Sequence, residues 1–368
     1  MNAVLEPVEK SVVYSNGSAV APRTVSASGR TKARPRLSLV FPIYNESKVI
    51  PFLLERVDLV VAELSAGAVI EGAAEKLPAL SVEVICINDG SRDDSITQLI
   101  AATETRSYLR VIDFSRNFGH QAAVTAGMHH ATGDAVALLD ADLQDPPELL
   151  AKMIGRWFAG ADVVYAVRTK REGESAFKKW TASQFYTLLR RLTSVDIPAD
   201  TGDFRLMDRR VVNALNQMNE SHRFLRGMSA WVGFKQEPIY YERPARVAGE
   251  TKYPLKKMLR FAMDALTSFS DAPLKLATNI GIITALFALL YGGVTVIRYF
   301  TNHGEWQAGW ASIIALLTFL SGIQLITLGL VGEYIGRIYD EVKRRPLYLV
   351  SEVYGNGTED GHASGESH

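Results

Sequence analysis

The chain has 368 residues, of which 47% are hydrophobic and 22% charged, enough to bury a core of one large or two ordinary domains, so wholesale disorder is excluded. Its 40 basic and 40 acidic residues cancel, so no net positive field draws it to nucleic acid, and any partner must be recognised by local clusters. One cysteine, Cys86, leaves no internal disulfide framework and no cysteine-rich zinc site, and its place in the apolar run from Val82 to Ile87 predicts a buried strand residue, not a nucleophile.

Residues 1–35, rich in Ser, Ala, Val, Arg and Pro without a sustained period, predict a flexible arm, and the tail from Gly355 reads the same way. Between them, strand patterns at Leu37 to Phe41, Val82 to Asn88, Leu109 to Phe114, Ala135 to Asp140 and Val163 to Val167 alternate with helical patterns near 47–63, 93–105, 120–131 and 147–159. That alternation predicts a mostly parallel sheet covered by helices. Ser91 to Asp94 reads as a capping box for the second helix, and Thr132-Gly133-Asp134 as the turn back into a strand.

Further on, Leu255, Met258, Leu259, Ala262, Leu266 and Phe269 form an apolar stripe beside Lys256, Lys257 and Arg260, the pattern of an interfacial helix on an anionic membrane surface. Leu276 to Ile297 and Trp306 to Gly332 then carry no charge over 22 and 27 positions, each long enough to span a bilayer. Lys252, Lys256, Lys257, Arg260 and Lys275 precede the first span, and Arg337, Lys343, Arg344 and Arg345 follow the second, whereas the connection holds Arg298 alone. By the positive-inside rule both ends face the cytoplasm. With no apolar h-region at its start, the chain is expected to keep its large N-terminal part there.

In open α/β sheets ligands bind at the C-terminal strand ends. Here those ends read Pro42-Ile43-Tyr44-Asn45-Glu46, Asn88-Asp89-Gly90-Ser91, Ser115-Arg116-Asn117 and Asp140-Ala141-Asp142, with Gln144 and Asp145 just beyond. Carboxylates at a strand end suit Mg²⁺ or Mn²⁺, hard ions that take one or two side chains and complete their shell from a diphosphate and water.

These motifs, with Asp200 to Met207 and Arg246 to Tyr253, resemble the family 2 glycosyltransferases of GT-A fold, specifically the polyprenyl-phosphate glycosyltransferases of the dolichol-phosphate mannose synthase and bactoprenol glucosyltransferase type. The resemblance covers about residues 37–345, with 65–80 a local insertion. It implies that Pro42, Tyr44, Glu46 and Asp89 surround the donor's base and ribose. It further implies that Asp140, Asp142 and Gln144 hold the metal against the diphosphate, and that homo-oligomers pack through the spans. The layout it implies is an arm (1–35), a GT-A catalytic domain (36–250), an interfacial helix (251–272), a transmembrane hairpin (273–340) and a cytoplasmic tail (341–368).

The implied reaction is the inverting transfer of a hexose, glucose or a relative, from a UDP-sugar to polyprenyl phosphate at the cytoplasmic face. A metal would act as Lewis acid on the leaving diphosphate, with Asp142 central to catalysis. A lipid phosphate is already nucleophilic near neutral pH, so that end of the site calls for Arg and Lys more than for a strong base. The candidates are Arg168, Arg205, Arg246 and Lys252. Asp203 fits three roles: orienting the acceptor, positioning a sugar hydroxyl or acting as base. His120, within the motif Ser115 to Ala123 that also carries the resemblance, reads as a packing or capping residue at a helix start with a catalytic role as the alternative, and His129 and His130 as complements to that helix's C-terminal dipole. A processive polysaccharide synthase is the rival enzyme, disfavoured by the small number of spans and by Met153 where a Q-x-x-R-W motif needs Gln. A nucleotide-sugar-binding scaffold is the non-enzyme rival.

Overall fold

The structure, a computed structural model, describes residues 32, 34–67, 77–168, 201–242, 272–301 and 309–355. The arm up to residue 31, residues 68–76 of the expected insertion, Arg246, Lys252, the apolar stripe of 255–269 and the tail beyond 355 lie outside the described residues.

In chain order the elements are β1 (Arg36–Ile43), α1 (Ile50–Ala66), β2 (Ser81–Asn88), α2 (Ser95–Thr103), β3 (Leu109–Phe114), α3 (His120–His130), β4 (Ala135–Leu138), α4 (Leu149–Phe158) and β5 (Val163–Arg168). After them come β6 (Thr201–Asp208), α5 (Arg209–Asn216), α6 (Leu225–Trp231), β7 (Gln236–Tyr241), α7 (Ala272–Thr301), α8 (Trp310–Lys343) and β8 (Val350–Tyr354). The strands form one sheet in the order β7-β5-β6-β4-β1-β2-β3-β8. β1 pairs in parallel with β2 and β4, β2 with β3 and β5 with β7, whereas β6 runs antiparallel to β4 and β5, and β8 antiparallel to β3. This is a GT-A-like mixed α/β sheet. The chain moves outward from β1 to β3 and then returns to the other side of β1 with β4, so the crevice between the ends of β1 and β4 is a topological switch point.

Strands covered by helices on both faces need apolar residues at every position, which is why β2 reads Val84-Ile85-Cys86-Ile87 without alternation. Leu39 and Phe41 of β1 face a core with Leu53 and Trp157, and Val40 between them faces a second core with Ile85, Val124 and Met128. Each such fully buried side chain contributes about 1.5–3 kcal/mol. α3 crosses β1 at Gly127, where any Cβ would collide with the side chain of Val40.

All five expected strands form, with β4 stopping at Leu138, short of Asp140. β6, β7 and β8 were not anticipated. β6 is buried along its whole length although it carries Asp203, Arg205 and Asp208. β7 opens Gln236-Glu237-Pro238, and proline suits an edge. β8 lies within what reads as a tail. The expected capping box does not form at α2, whose N-cap Asp94 makes no side-chain cap bond; the preceding Asp93 accepts from the amides of Ser95 and Ser47 instead. α5, by contrast, is capped by Asp208, whose carboxylate accepts from the amide of Arg210.

The first expected span falls in α7, of 30 residues, and the second, whose residues 306–308 lie outside the described residues, falls from Trp310 onward in α8, of 34. Among the described residues one segment, Phe319–Lys343, is long and apolar enough to cross a membrane, and none of it is buried in the protein. It reaches past Gly332, the expected end, to the last residue of the helix. Beyond α8 the chain returns to the domain: Tyr348 stacks on Phe114 with ring centroids 5.1 Å apart, and β8 completes the edge of β3. Cys86 is buried in β2 as expected, and burial pushes its thiol up to about 12.

Candidate active site

The ends of β1 and β2 are laced together. Asn45, at φ 55°, donates its amide to Ser91 Oγ at 3.0 Å and accepts the amide of Arg92 at 2.8 Å, while the amides of Glu46 and Ser47 donate to Ser95 Oγ and the Asp93 carboxylate. Of the residues expected around the donor's base and ribose, Pro42, near the end of β1, and Glu46, on this loop, are half-buried, and Tyr44 is exposed. Asp89 is placed differently. It is buried, and its carboxylate accepts from the amides of Phe118 and Gly119 at 2.6 and 2.9 Å and from Asn117 Nδ2 at 2.9 Å, which fixes the loop after β3. Burial raises its pKa, and the two amide bonds oppose that shift without cancelling it.

Across the switch point, Asp140 lies two residues beyond the end of β4, opposite the start of β6. The antiparallel register of Leu138 with Arg205 brings Asp140, two residues after Leu138, towards Asp203, two residues before Arg205. His120, the first residue of α3, sits between the two carboxylates: its Nε2 is 3.1 Å from Asp203 Oδ2 and 3.9 Å from Asp140 Oδ1. Arg226, in the first turn of α6, donates from Nε to Asp203 Oδ1 at 2.9 Å. Burial works to raise the Asp203 pKa, but the charge of Arg226 and the bonds from His120 and Arg226 hold it well below the carboxylate range. His120 is shifted the other way: burial lowers its pKa, and the bond and charge of Asp203, with Asp140 behind, more than reverse this. The structure therefore gives His120 a place between two acids, not the packing role its position suggests.

The metal question turns on Asp140, Asp142 and Gln144. Among the described residues no three His, Cys, Asp or Glu side chains gather into a metal site. Asp142 Oδ1 accepts the amide of Gln144 at 3.1 Å, and Gln144 is buried. Burial, and then the negative charge of Asp145, push Asp140 up to about 6, and a cation beside it would offset both effects. Two carboxylates on one strand end fit Mg²⁺ or Mn²⁺ bound together with a diphosphate, and do not make a cage of protein ligands alone.

Of the expected phosphate-binding residues, Arg168 ends β5 near this cluster. Its Nε donates to Tyr241 OH at 3.2 Å, the same hydroxyl donates to buried Asp145 at 2.5 Å, and the Arg168 NH2 group lies 3.7 Å from that carboxylate. Arg205 is engaged within the fold. It is buried, and its guanidinium donates to Ser229 Oγ and to the carbonyls of Gly202 and Leu225, which ties α6 to β6. Nor do His129 and His130 serve the helix dipole as cations, because burial lowers both pKa values, and His129 meets the Tyr348 hydroxyl at 3.0 Å.

Arg226, Tyr241 and the bridging role of His120 escaped sequence reasoning. One signal pointed to Arg226: it is a cation in the first turn of a helix, where the macrodipole disfavours it unless an acid compensates.

A family model described as glycosyl transferase family 2 matches residues 38–215, and one described as the GtrB C-terminal hairpin matches residues 272–338. An uncharacterized glycosyltransferase of Bacillus subtilis (strain 168) is 49% identical over 319 residues, 86% of this chain and 94% of its own length. A prophage bactoprenol glucosyl transferase homolog of Escherichia coli (strain K12) is 38% identical over 318 residues, 86% of this chain and 99% of its own. The bactoprenol glucosyl transferase of Shigella phage SfX is 38% identical over 315 residues, with 86% and 98% covered. The sheet, the acidic strand end and these near full-length matches lead to one conclusion: the chain belongs to glycosyl transferase family 2 and is a glycosyltransferase.

Proposed function

We propose that the protein transfers a hexose, glucose or a close relative, from a UDP-sugar to polyprenyl phosphate at the cytoplasmic face of a membrane, with inversion and with Mg²⁺ or Mn²⁺. The observation that carries this reading is the row Asp140, His120, Asp203 and Arg226 at the open end of the sheet, where acidic groups suited to a cation-bound diphosphate meet basic groups suited to a phosphate. The bactoprenol glucosyl transferases that match along almost their whole length support the acceptor class.

Asp140 and Asp142 would hold the metal, which supplies Lewis-acid neutralisation of the departing diphosphate. Pro42, Tyr44 and Glu46 line the donor's base and ribose, while Asp89 acts behind them by fixing the loop of residues 117–119. Asp203 is held as an anion by Arg226 and His120, which suits it to orienting the acceptor or a sugar hydroxyl and makes it a poor proton acceptor. That is the chemistry a phosphate nucleophile needs, since it carries its own negative charge. Arg168 joins Arg246 and Lys252 as ligands for the lipid phosphate, and Arg205 serves the fold. Both long helices cross the membrane in this reading. Pairing of β8 with β3 supports an exit of α8 on the side of the catalytic sheet, in agreement with the basic residues that follow it.

The test is a thin-layer assay of full-length protein in detergent, with polyprenyl phosphate and a panel of labelled nucleotide sugars. Lipid-linked product is expected from UDP-glucose or a related donor, with loss in excess EDTA and in Asp142→Asn. Transfer to a soluble glycan instead of lipid overturns the acceptor, and full activity in EDTA overturns the metal.

A further inference from the structure

His120 helps hold Asp203 as an anion in the proposed reaction, and its place between the two sides of the switch point gives it a second task. Its place is set from behind, because the amides of Phe118 and Gly119, the two residues before it, are held by the Asp89 carboxylate. From there the imidazole reaches across the switch point to Asp203 on β6, with Asp140 of the donor side 3.9 Å from the same nitrogen. Asp203 has both oxygens engaged: Oδ1 accepts from Arg226 at 2.9 Å, and Oδ2 meets His120 at 3.1 Å with Gln121 at 3.5 Å.

We propose that His120 is a positioning residue, whose imidazole fixes the Asp203 carboxylate relative to the donor end of β4 and so sets the line between acceptor and donor. Three features favour this role over simple packing. The ring joins two acids that the β4 and β6 register places opposite each other, and such like charges repel unless a donor or cation stands between them. It also divides the Asp203 carboxylate with Arg226, one oxygen each, so that loss of the ring leaves Arg226 to pull the carboxylate towards α6. Finally, its side chain remains 43% exposed, so it lies at the wall of the crevice and not inside the core. The inference rests on the proposed transfer reaction and adds a residue to it.

A double-mutant cycle on full-length protein in detergent tests it, with His120→Ala, His120→Gln, Asp203→Asn and the double variant His120→Ala with Asp203→Asn. Partners that orient metal-ligating groups are worth about 10- to 100-fold in activity, and a partner that orients the acceptor-side carboxylate is taken to be of the same order. His120→Ala is therefore expected to lower kcat for lipid-linked product by that range, and His120→Gln, which keeps a donor at similar reach, to recover part of it. In the Asp203→Asn background the same His120→Ala change should cost less than about threefold, since the carboxylate it positions is gone. Equal losses in both backgrounds overturn the inference, as does full activity of His120→Ala. Wild-type protein that makes no lipid-linked product overturns the functional reading instead. The same cycle is then read on UDP release to water, where coupling upholds the role of His120 and additivity removes it.

Discussion

Ser221 and Glu341, 120 positions apart, are joined by two hydrogen bonds: the Ser221 amide donates to Oε1 at 2.7 Å and its hydroxyl to Oε2 at 3.1 Å. With His222 Nε2 3.3 Å from Asp340, they attach the last turns of α8 to the segment between α5 and α6. Bonds to a charged acceptor are worth about 1.5–3 kcal/mol when shielded, and less on a half-exposed surface such as this. Glu341→Ala should therefore destabilise by about 1 kcal/mol, read as a lower thermal midpoint in detergent, with donor affinity unchanged. A midpoint equal to wild type would show that this contact does not hold the helix.

Gly90 should tolerate no side chain. Its φ is +63°, and a Cβ there would lie 2.5 Å from both Arg116 C and Asn117 N, which are backbone atoms with nowhere to move. Left-handed backbone in a residue with a side chain costs about 1–3 kcal/mol even without such a clash. Gly90→Ala is expected to lower the thermal midpoint and to weaken UDP-sugar binding by at least about tenfold, because the loops of β2 and β3 must separate. Calorimetric titration with the donor checks this, and wild-type affinity would mean that the loops do not shape the donor site.

Asp93 provides a dependence on pH. Burial works to raise its pKa, but the hydrogen bonds from Ser95 and Ser47 outweigh that and bring it from 3.8 to about 2. A carboxylate lowered on folding stabilises the protein at pH above its unfolded value, and the contribution disappears as pH falls from about 4 to about 2. Discounted for solvent screening, it amounts to about 1–2 kcal/mol. Asp93→Asn should melt below wild type at pH 7, and the two melting curves should converge near pH 2. A gap that persists at acid pH would assign the loss to packing.

Arg246 tests the acceptor end. Arg246→Ala should lower acceptor-dependent kcat/KM by about one to two powers of ten, the worth of charge-assisted bonds to a phosphate, while leaving UDP-sugar affinity nearly unchanged. Arg246→Lys should recover part of the loss, since the planar fork is missing. Weaker donor binding with a normal lipid response would move Arg246 to the donor side and leave Arg168 as the leading phosphate ligand.

The first five strands were legible because parallel strands buried on both faces must be apolar throughout, as in Val82 to Asn88. β6 was hidden by its charges: Asp203 is paired with Arg226 and His120, Arg205 with carbonyls, and Asp208 with the Trp157 indole, all partners set by the fold. The strand-end rule brought Asp140 and Asp142 into view, and the Asp200–Met207 motif brought Asp203, each as a single residue. Neither said anything of the link between them, because His120 meets Asp203 across 83 positions and Arg226 meets it across 23. Asp89 and Arg205 add another kind of link that a motif does not spell out, since each holds distant backbone in place through its side chain.

β8 makes one sheet out of two distant parts of the polypeptide. Its pairing with β3, the stacking of Tyr348 on Phe114 and the bond from Ser115 to the Leu349 carbonyl all join residues beyond α8 to residues before α3. A protease that cuts between residues 242 and 272 would therefore nick the chain without dividing the molecule. The two fragments would migrate together under native conditions and separate only when denaturant opens the sheet.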